Sequence, residues 1–225
     1  MLVLAFDTTV AACSVALWRD GVVLSRARQV MDQGQAEALI PLIESVMREG
    51  GADYSALDRI AVTVGPGSFT GVRVGLAAAR GLGLAALRPV IGILTTEALA
   101  QAVPQTELDQ EDARVLGVID TKRGDVYAQL FDRHMGALGH PQVLAPAQLA
   151  AWIETGPVIV VGDAAAIAVS AIGRHAKLST AESFPDPAVI ARCAALRQPL
   201  PSGPLPVYVR PPDAVIPQHG GRLRS

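Results

Sequence analysis

The stretch Gly65-Pro66-Gly67-Ser68-Phe69-Thr70-Gly71 joins an apolar run, residues 60–64, to a segment with helical spacing of apolar residues, 72–87. Glycines let a backbone approach a ligand closely, and free N–H groups at a helix N-terminus favour an anion. The stretch is not a P-loop, because no Lys-Ser/Thr pair follows at the required place. Its G-x-G-x-x-x-G spacing is one residue longer than the dinucleotide fingerprint. An anion-binding turn and a purely structural turn both remain open.

Strand-like runs lie on both sides of this turn. Residues 13–18 and Val22–Val30 are separated by Arg19-Asp20-Gly21, which is typical of a hairpin. Apolar residues then recur at helical spacing over Gln35–Glu49. Three strands followed by helix, strand, helix and strand predict a mixed α/β sheet with helices on its faces. The other elements predicted here are strands at 2–6, 60–64 and 90–94, and a short helix to Val103 that Thr95 or Thr96 caps.

The second half repeats this opening. Arg114–Asp120 is a predicted strand that ends in an aspartate, as the first strand does at Asp7, and Lys122-Arg123-Gly124 forms a hairpin to 125–131. The polar, acidic stretch 105–112 is predicted to connect two domains, residues 1–104 and 105–225. The remaining predictions are a strand at Val158–Val161, helices at 147–153, 163–172 and Pro187–Leu196, and a proline-dense stretch, 199–217, without continuous regular structure.

Composition narrows the class of protein. The chain has 225 residues, of which 50% are hydrophobic and 18% charged, and a formal net charge of −2. These values exclude a disordered chain and argue against an autonomous nucleic-acid binder, which usually carries a dense basic stripe. The N-terminus has no basic region of a signal peptide, and the longest apolar stretch is too short for a membrane span. We expect a cytoplasmic protein without membrane contact.

Candidate catalytic groups are few. Two distant cysteines cannot form a disulfide framework or a four-ligand zinc site, and no two histidines stand four residues apart. Asp7 and Asp120, at predicted strand ends, could hold a hydrated magnesium ion, although the favoured interpretation of each is a turn or cap aspartate. Ser14 and Ser68 have no histidine nearby in sequence, so we predict no nucleophile and no metal site. The weak candidates for binding a cofactor are Asp7, Thr8, Gly65, Gly67 and Ser68.

The helix after the glycine-rich turn carries apolar residues on more than one face. Gly71, Gly75, Ala78, Leu82 and Ala85 form one stripe of mainly small residues, which lets another helix come close. A helix that is apolar on two faces must be buried on two sides. Gln35–Glu49 has the same need. The second side could face a neighbouring helix of this chain or another subunit.

Five segments together resemble the TsaB (YeaZ) family, which bacteria need for threonylcarbamoyladenosine modification of tRNA next to the anticodon. The match covers most of the chain and is densest in residues 1–100. It implies an actin-like (ribonuclease-H-like) two-domain α/β fold, with mixed sheets and helices on both faces. The segments are Leu4-Ala5-Phe6-Asp7-Thr8-Thr9, Cys13-Ser14-Val15-Ala16-Leu17, Gly65 to Gly75, Asp120-Thr121-Lys122-Arg123-Gly124-Asp125-Val126-Tyr127 and Pro206-Val207-Tyr208-Val209-Arg210.

The resemblance also implies partners. The two apolar helices would dock on the catalytic paralogue TsaD, or on a second copy of this chain, and the ATPase TsaE would join the pair. Contact with tRNA would come only through that complex. No cofactor of its own is expected, and ATP or ADP would be bound at the complex interface. The implied interface residues are Ala36, Leu39, Ile40, Ile43, Met47, Gly71, Arg73, Val74, Gly75, Ala78 and Leu82.

The sequence departs from the family pattern at three places. TsaD-type proteins carry a His-x-x-x-His metal pair that is absent here, which favours a non-catalytic subunit. Asp120-Thr121-Lys122 stands where the family often has Asp-Ala-Arg, and Gln33-Gly34 where it often has His-Ser. A stand-alone nucleotide-dependent phosphotransferase that uses Asp7 and the glycine-rich turn is the main alternative. A metalloprotease is disfavoured because its ligands are missing.

Overall fold

The computed structural model describes residues 1–109, 113–154 and 156–210. Its first half contains a five-stranded mixed sheet with the order β3-β2-β1-β4-β5. The hairpin strands β1, β2 and β3 are antiparallel, whereas β4 and β5 run parallel to β1. The strand bounds are β1 Leu2–Asp7, β2 Ala12–Arg19, β3 Val22–Val30, β4 Arg59–Thr63 and β5 Val90–Ile93.

The second half contains another five-stranded sheet with the same topology. Its order is β8-β7-β6-β9-β10 read from the hairpin edge, with two antiparallel pairs followed by two parallel pairs. The repeated strand-to-aspartate opening is therefore part of a duplicated sheet. The strand bounds are β6 Arg114–Asp120, β7 Val126–Phe131, β8 Gln142–Leu144, β9 Val158–Val161 and β10 Ala176–Leu178. The division at 104/105 stays a prediction.

Helices cover both faces of the first sheet. The helices α1 (Gln35–Glu49) and α2 (Phe69–Ala86) pack on one face, where Phe6, Ile43 and Leu76 belong to one buried apolar cluster. The last helix, α7 (Pro187–Leu196), crosses back to the other face and buries its apolar side there. Asp186 caps α7 by accepting a hydrogen bond from the Ala188 amide at 2.8 Å.

Two short helices, α3 (Thr95–Ala100) and α4 (Gln105–Asp109), follow β5. Leu99 of α3 shares a buried cluster with Phe131 and Ile159 of the second sheet. The Thr96 hydroxyl donates to Gln129 Oε1 of β7 at 2.5 Å, which ties α3 to the second half. Helices α5 (Leu149–Trp152) and α6 (Ala165–Ile172) pack close together beside the second sheet. A short 3-10 turn at Pro146–Gln148 leads into α5, and another at Tyr54–Ala56 precedes β4.

Most predicted elements are confirmed, and the exceptions have local causes. Helix α2 begins three residues early, because the Ser68 hydroxyl accepts from the Gly71 amide and caps it. The predicted Thr95 or Thr96 cap is wrong: Leu94 precedes the helix, and both hydroxyls bind elsewhere. Residues 105–109 are helical rather than a plain connection, and 110–112 lie outside the described residues. Residues 199–210 form no helix or strand, whereas 211–217 lie outside the described part.

Candidate functional site

Asp7, at the end of β1, is fully buried. Its Oδ1 accepts three hydrogen bonds, from the Thr9 amide at 3.1 Å, the Thr9 hydroxyl at 2.6 Å and the Thr63 hydroxyl at 2.5 Å. Its Oδ2 is also buried and has no hydrogen-bond partner. Burial raises the pKa of Asp7, and the three donors oppose that rise only in part. Asp7 therefore fixes the conformation of the turn that follows β1.

That turn, Thr8-Thr9, packs directly under the glycine-rich stretch. A Cβ on Gly67 would lie 2.3 Å from the Thr9 carbonyl oxygen, and one on Gly71 would lie 1.9 Å from the Thr8 carbonyl oxygen. The Ser68 amide donates to the Thr9 oxygen at 2.7 Å, and the Thr8 hydroxyl donates to the Gly71 oxygen at 2.7 Å. These glycines provide close contact between two backbone segments of the same chain. The structural interpretation of the turn thus has direct support.

A cleft of about 750 Å³ opens between the two halves. Gly67 and Ser68 line it, but Asp7, Thr8 and Gly65 are buried and are not among its lining residues. The candidate cofactor residues are therefore divided between the core and the cleft. Within the described ranges, no three His, Cys, Asp or Glu side chains come together in a way that could hold a metal ion.

The far wall of the cleft is charged. Asp120 is the last residue of β6, and Asp163 follows β9. The Asp163 carboxylate accepts a hydrogen bond from the Asp120 amide at 2.8 Å. Burial raises the pKa of Asp163. Lys122 Nζ lies 3.1 Å from Asp120 Oδ2, and this hydrogen bond is the main reason that the pKa of Lys122 is raised. Lys122, which departs from the family pattern, thus forms an ion pair with Asp120 in this wall.

Helix α2 turns an uncharged face outward. Thr70, Ala77, Gly81, Leu84 and Ala85 are all exposed on one side of the helix, and we call these five residues the outer face. Leu84 is 78% exposed. No other atom lies within 4 Å of a Cβ built on Gly81, so nothing in this chain requires glycine there. Arg73 and Arg80 lie along one flank of this face.

The interface residues implied by the resemblance lie in two different environments. Five of them are buried in this chain. In the small-residue stripe, Gly75 meets the Thr8 hydroxyl and Val62, and Gly71 meets the Thr8 backbone, so these two glycines face the core rather than a partner. The other three buried positions belong to the core under α1. The exposed or half-buried positions can still face a partner, and they are Ala36, Ile40, Arg73, Val74, Ala78 and Leu82; the buried ones are Leu39, Ile43, Met47, Gly71 and Gly75.

Sequence reasoning missed most of the outer face of α2, since only Ala85 of its five residues belonged to the predicted small-residue stripe. Ala77, Gly81 and Leu84 fall at helical spacing, but so do the buried residues on the other sides of the same helix. The sequence did hold one signal. Over the 18 residues of α2, Arg73 and Arg80 are the charged residues, and many of the others are small. That signal becomes readable only when the sheet fixes which side is inside.

None of the helices in the described part of the chain combines the length and apolar character needed to cross a membrane. Solved structures with a similar fold include YeaZ from Pseudomonas aeruginosa, with a TM-score of 0.74 and 29% identity over 92% of this chain and 99% of that one. A ROK hexokinase from Thermus thermophilus shares the fold alone, with a TM-score of 0.52 and 16% identity over 87% and 99% of the two chains. The duplicated sheets and the cleft between them define an actin-like two-domain α/β protein.

Sequence comparisons give the family. The model of TsaD, tRNA N6-adenosine threonylcarbamoyltransferase, matches residues 29–189. The chain is 35% identical over 140 residues to the tRNA threonylcarbamoyladenosine biosynthesis protein TsaB of Escherichia coli, covering 62% of this chain and 59% of that protein. It is 32% identical to an uncharacterised protein of Mycobacterium tuberculosis H37Rv over 94% and 93% of the two chains. The chain belongs to the family that the TsaD model describes, and within it to the TsaB (YeaZ) group. It spans 59% and 52% of the lengths of the TsaB proteins from E. coli and Haemophilus influenzae.

Proposed function

We propose that this chain is the non-catalytic partner subunit of the complex that makes threonylcarbamoyladenosine in tRNA next to the anticodon. In this proposal it pairs with the catalytic paralogue TsaD through α1 and α2, recruits TsaE to the pair, and meets tRNA only through the complex. The carrying observation is the exposed, uncharged outer face of α2. The cytoplasm, where tRNA is modified, is the proposed location.

The outer face has the physical character of a helix-packing surface. Leu84 is 78% exposed and Leu87, just after the helix, is 84% exposed. Burying one leucine side chain contributes about 1.5–3 kcal/mol. Gly81 costs about 1 kcal/mol of helix stability relative to alanine, with no contact inside this chain that offsets it. A partner helix that approaches closely over Gly81 supplies that missing contact.

Charge on the two helices supports pairing with a protein of the same fold. Helix α1 exposes three acidic residues and Arg48, so its exposed charge is net acidic, whereas α2 exposes Arg73 and Arg80; the acidic residues are Glu37, Glu44 and Glu49. In a two-fold arrangement, equivalent patches meet, so the acidic helix of one subunit can lie beside the basic helix of the other. A paralogue that keeps the two-helix layer offers this complement, and a second copy of this chain offers it when the paralogue is missing.

The environment of Asp7 supports a subunit that performs no chemistry of its own. A carboxylate that holds hydrated magnesium must reach solvent or substrate. Asp7 instead is buried and directs Oδ1 to three donors of its own chain. We therefore propose no cofactor bound by this chain alone, and ATP or ADP bound at the interface of the complex.

Size-exclusion chromatography of this chain mixed with TsaD from the same organism tests the proposal. The two should co-elute, and Leu84→Glu should abolish co-elution because the new charge would be buried without a partner. Leu196→Glu, at the 86% exposed end of α7, is the matched control and should leave co-elution intact. If the wild-type chain does not co-elute, with or without ATP and magnesium, the proposal is wrong.

The size of the cleft supports a second candidate, a nucleotide-dependent phosphotransferase. About 750 Å³ falls within the range of small-molecule sites, and Ser68 at the start of α2 lines it. The buried position of Asp7 weighs against this candidate. Isothermal titration with ATP and magnesium separates the two proposals: binding by the isolated chain, followed by turnover, favours the phosphotransferase.

A further inference from the structure

Residues 204–210, which we call the strap, run along the end of the first sheet. The Val207 amide donates to the Val64 oxygen at 2.8 Å, and an Arg80 guanidinium nitrogen donates to the Pro204 oxygen at 2.8 Å. Pro204 packs so closely on Gly92 that a Cβ there would lie 2.7 Å from the proline ring. The strap is thus attached to the first half by backbone groups and by close packing.

Aromatic stacking adds to this attachment at the mouth of the cleft. The rings of Tyr208 and Phe69 lie 5.1 Å apart, and the Arg73 guanidinium stands 3.6 Å over the Phe69 ring. Arg73 Nε also donates to the Tyr208 hydroxyl at 3.1 Å. Arg73 thus stacks on one ring and donates a hydrogen bond to the hydroxyl of the other, which ties Tyr208 of the strap to the start of α2.

The strap reaches the second half through a contact of another kind. Arg210 forms an ion pair with Asp125, which follows the turn between β6 and β7 and also accepts the Thr121 hydroxyl. The side chains of Arg210 and Asp125 are 25% and 24% exposed. The Thr121 hydroxyl and the Arg210 guanidinium lower the pKa of Asp125, so the carboxylate stays ionised at neutral pH.

We propose that the strap is a latch for the cleft, and that the Arg210–Asp125 pair is the contact that opens. Val207, Tyr208 and Arg210 line the cleft on one side of this contact, and Thr121 lines it on the other. The attachments to the first half are hydrogen-bonded or packed, whereas a partly exposed ion pair is weak and screened by salt. When the cleft opens, the Arg210–Asp125 contact therefore breaks first, and the strap stays attached to the first half. Two motifs that the family resemblance singled out, around Asp125 and Arg210, thereby share one role.

Hydrogen–deuterium exchange on the full chain tests the latch without any partner. In Arg210→Ala, the amides of 204–210 and of the 120–126 turn should exchange about two- to fivefold faster, the range expected for a partly exposed ion pair. Strand β1 should be unchanged. Raising NaCl from about 0.05 M to 1 M should speed exchange of the same amides in the wild type, because salt screens the ion pair. It should not change their exchange in Arg210→Ala, which lacks the pair. Glu182→Ala, which breaks the ion pair with Arg28 away from the strap, is the control and should leave both segments unchanged.

A charge exchange keeps the test decisive if a single variant is unstable. The double variant Arg210→Asp with Asp125→Arg should recover slow exchange in both segments, because the pair is restored with its polarity reversed. The latch is overturned if Arg210→Ala leaves both segments at the wild-type rate. It is equally overturned if wild-type exchange does not respond to salt, or if the double variant exchanges as fast as Arg210→Ala.

Discussion

Thr8 occupies the space that Gly71 leaves open. The Thr8 hydroxyl donates to the Gly71 oxygen at 2.7 Å, and a Cβ on Gly71 would lie 1.9 Å from the Thr8 carbonyl oxygen. The first turn of α2 therefore packs on the turn after β1 with backbone against backbone. This contact explains why the most recognisable stretch of the sequence is rich in glycine without having to bind a phosphate.

Two glycines of α2 should respond in opposite ways to alanine. Gly71→Ala should destabilise the fold by about 1–3 kcal/mol, because the methyl group meets a backbone oxygen that cannot move aside. Gly81→Ala should stabilise it by about 0.5–1 kcal/mol, since the position is open and alanine is the better helix former. Urea unfolding measures both. Equal effects at the two sites would contradict the packing described for Gly71.

Asp7 should tolerate an amide better than a methyl group. Asp7→Ala leaves the Thr9 amide and two threonine hydroxyls without an acceptor, and each such loss costs about 1–3 kcal/mol. Asp7→Asn keeps Oδ1 and removes the buried charge, but it buries an amide NH2 without an acceptor where Oδ2 lay, so its loss of unfolding free energy at pH 7 should be smaller than that of Asp7→Ala. An equal or larger loss in Asp7→Asn would show that the charge itself is required.

The pH dependence of stability carries the same information with a definite sign. Burial raises the pKa of Asp7 above 3.8 in the folded chain, so the folded state binds more protons than the unfolded state above that pH. The contribution of Asp7 therefore falls as pH rises from about 4 and levels off above its folded pKa. Asp163 adds a change of the same sign. The stability of Asp7→Asn minus that of the wild type should increase over this range; a difference that does not change with pH would contradict the raised pKa.

Much of the fold could be predicted because its signals are periodic and local. The short apolar runs, the helical spacing over Gln35–Glu49 and the aspartate at the end of Arg114–Asp120 each correspond to an observed element. The strands β8 and β10 were missed because each has only three residues, which is too short to show a recognisable pattern of apolar residues. The Thr96 cap was wrong because a distant partner, Gln129, takes the hydroxyl.

The candidate site was predicted less well, and the cause is an ambiguity of small residues. Gly75 and Gly81 look alike in the sequence, yet Gly75 makes room for Thr8 and Val62 whereas Gly81 faces open space. Only the position of the sheet separates an inner stripe from an outer one. The contact between Arg210 and Asp125 is equally hidden, because it joins residues 85 positions apart.

If TsaD docks on the outer face of α2, as proposed, the dissociation constant of the pair depends on the residues of that face. Gly81→Arg adds a large charged side chain where nothing in this chain is displaced, so the fold should remain intact by circular dichroism. Ala166→Arg, at an exposed position on α6, is the matched control. Titration calorimetry should give a dissociation constant at least about a hundredfold weaker for Gly81→Arg, and unchanged for Ala166→Arg. A folded Gly81→Arg that binds TsaD as tightly as the wild type would contradict the account.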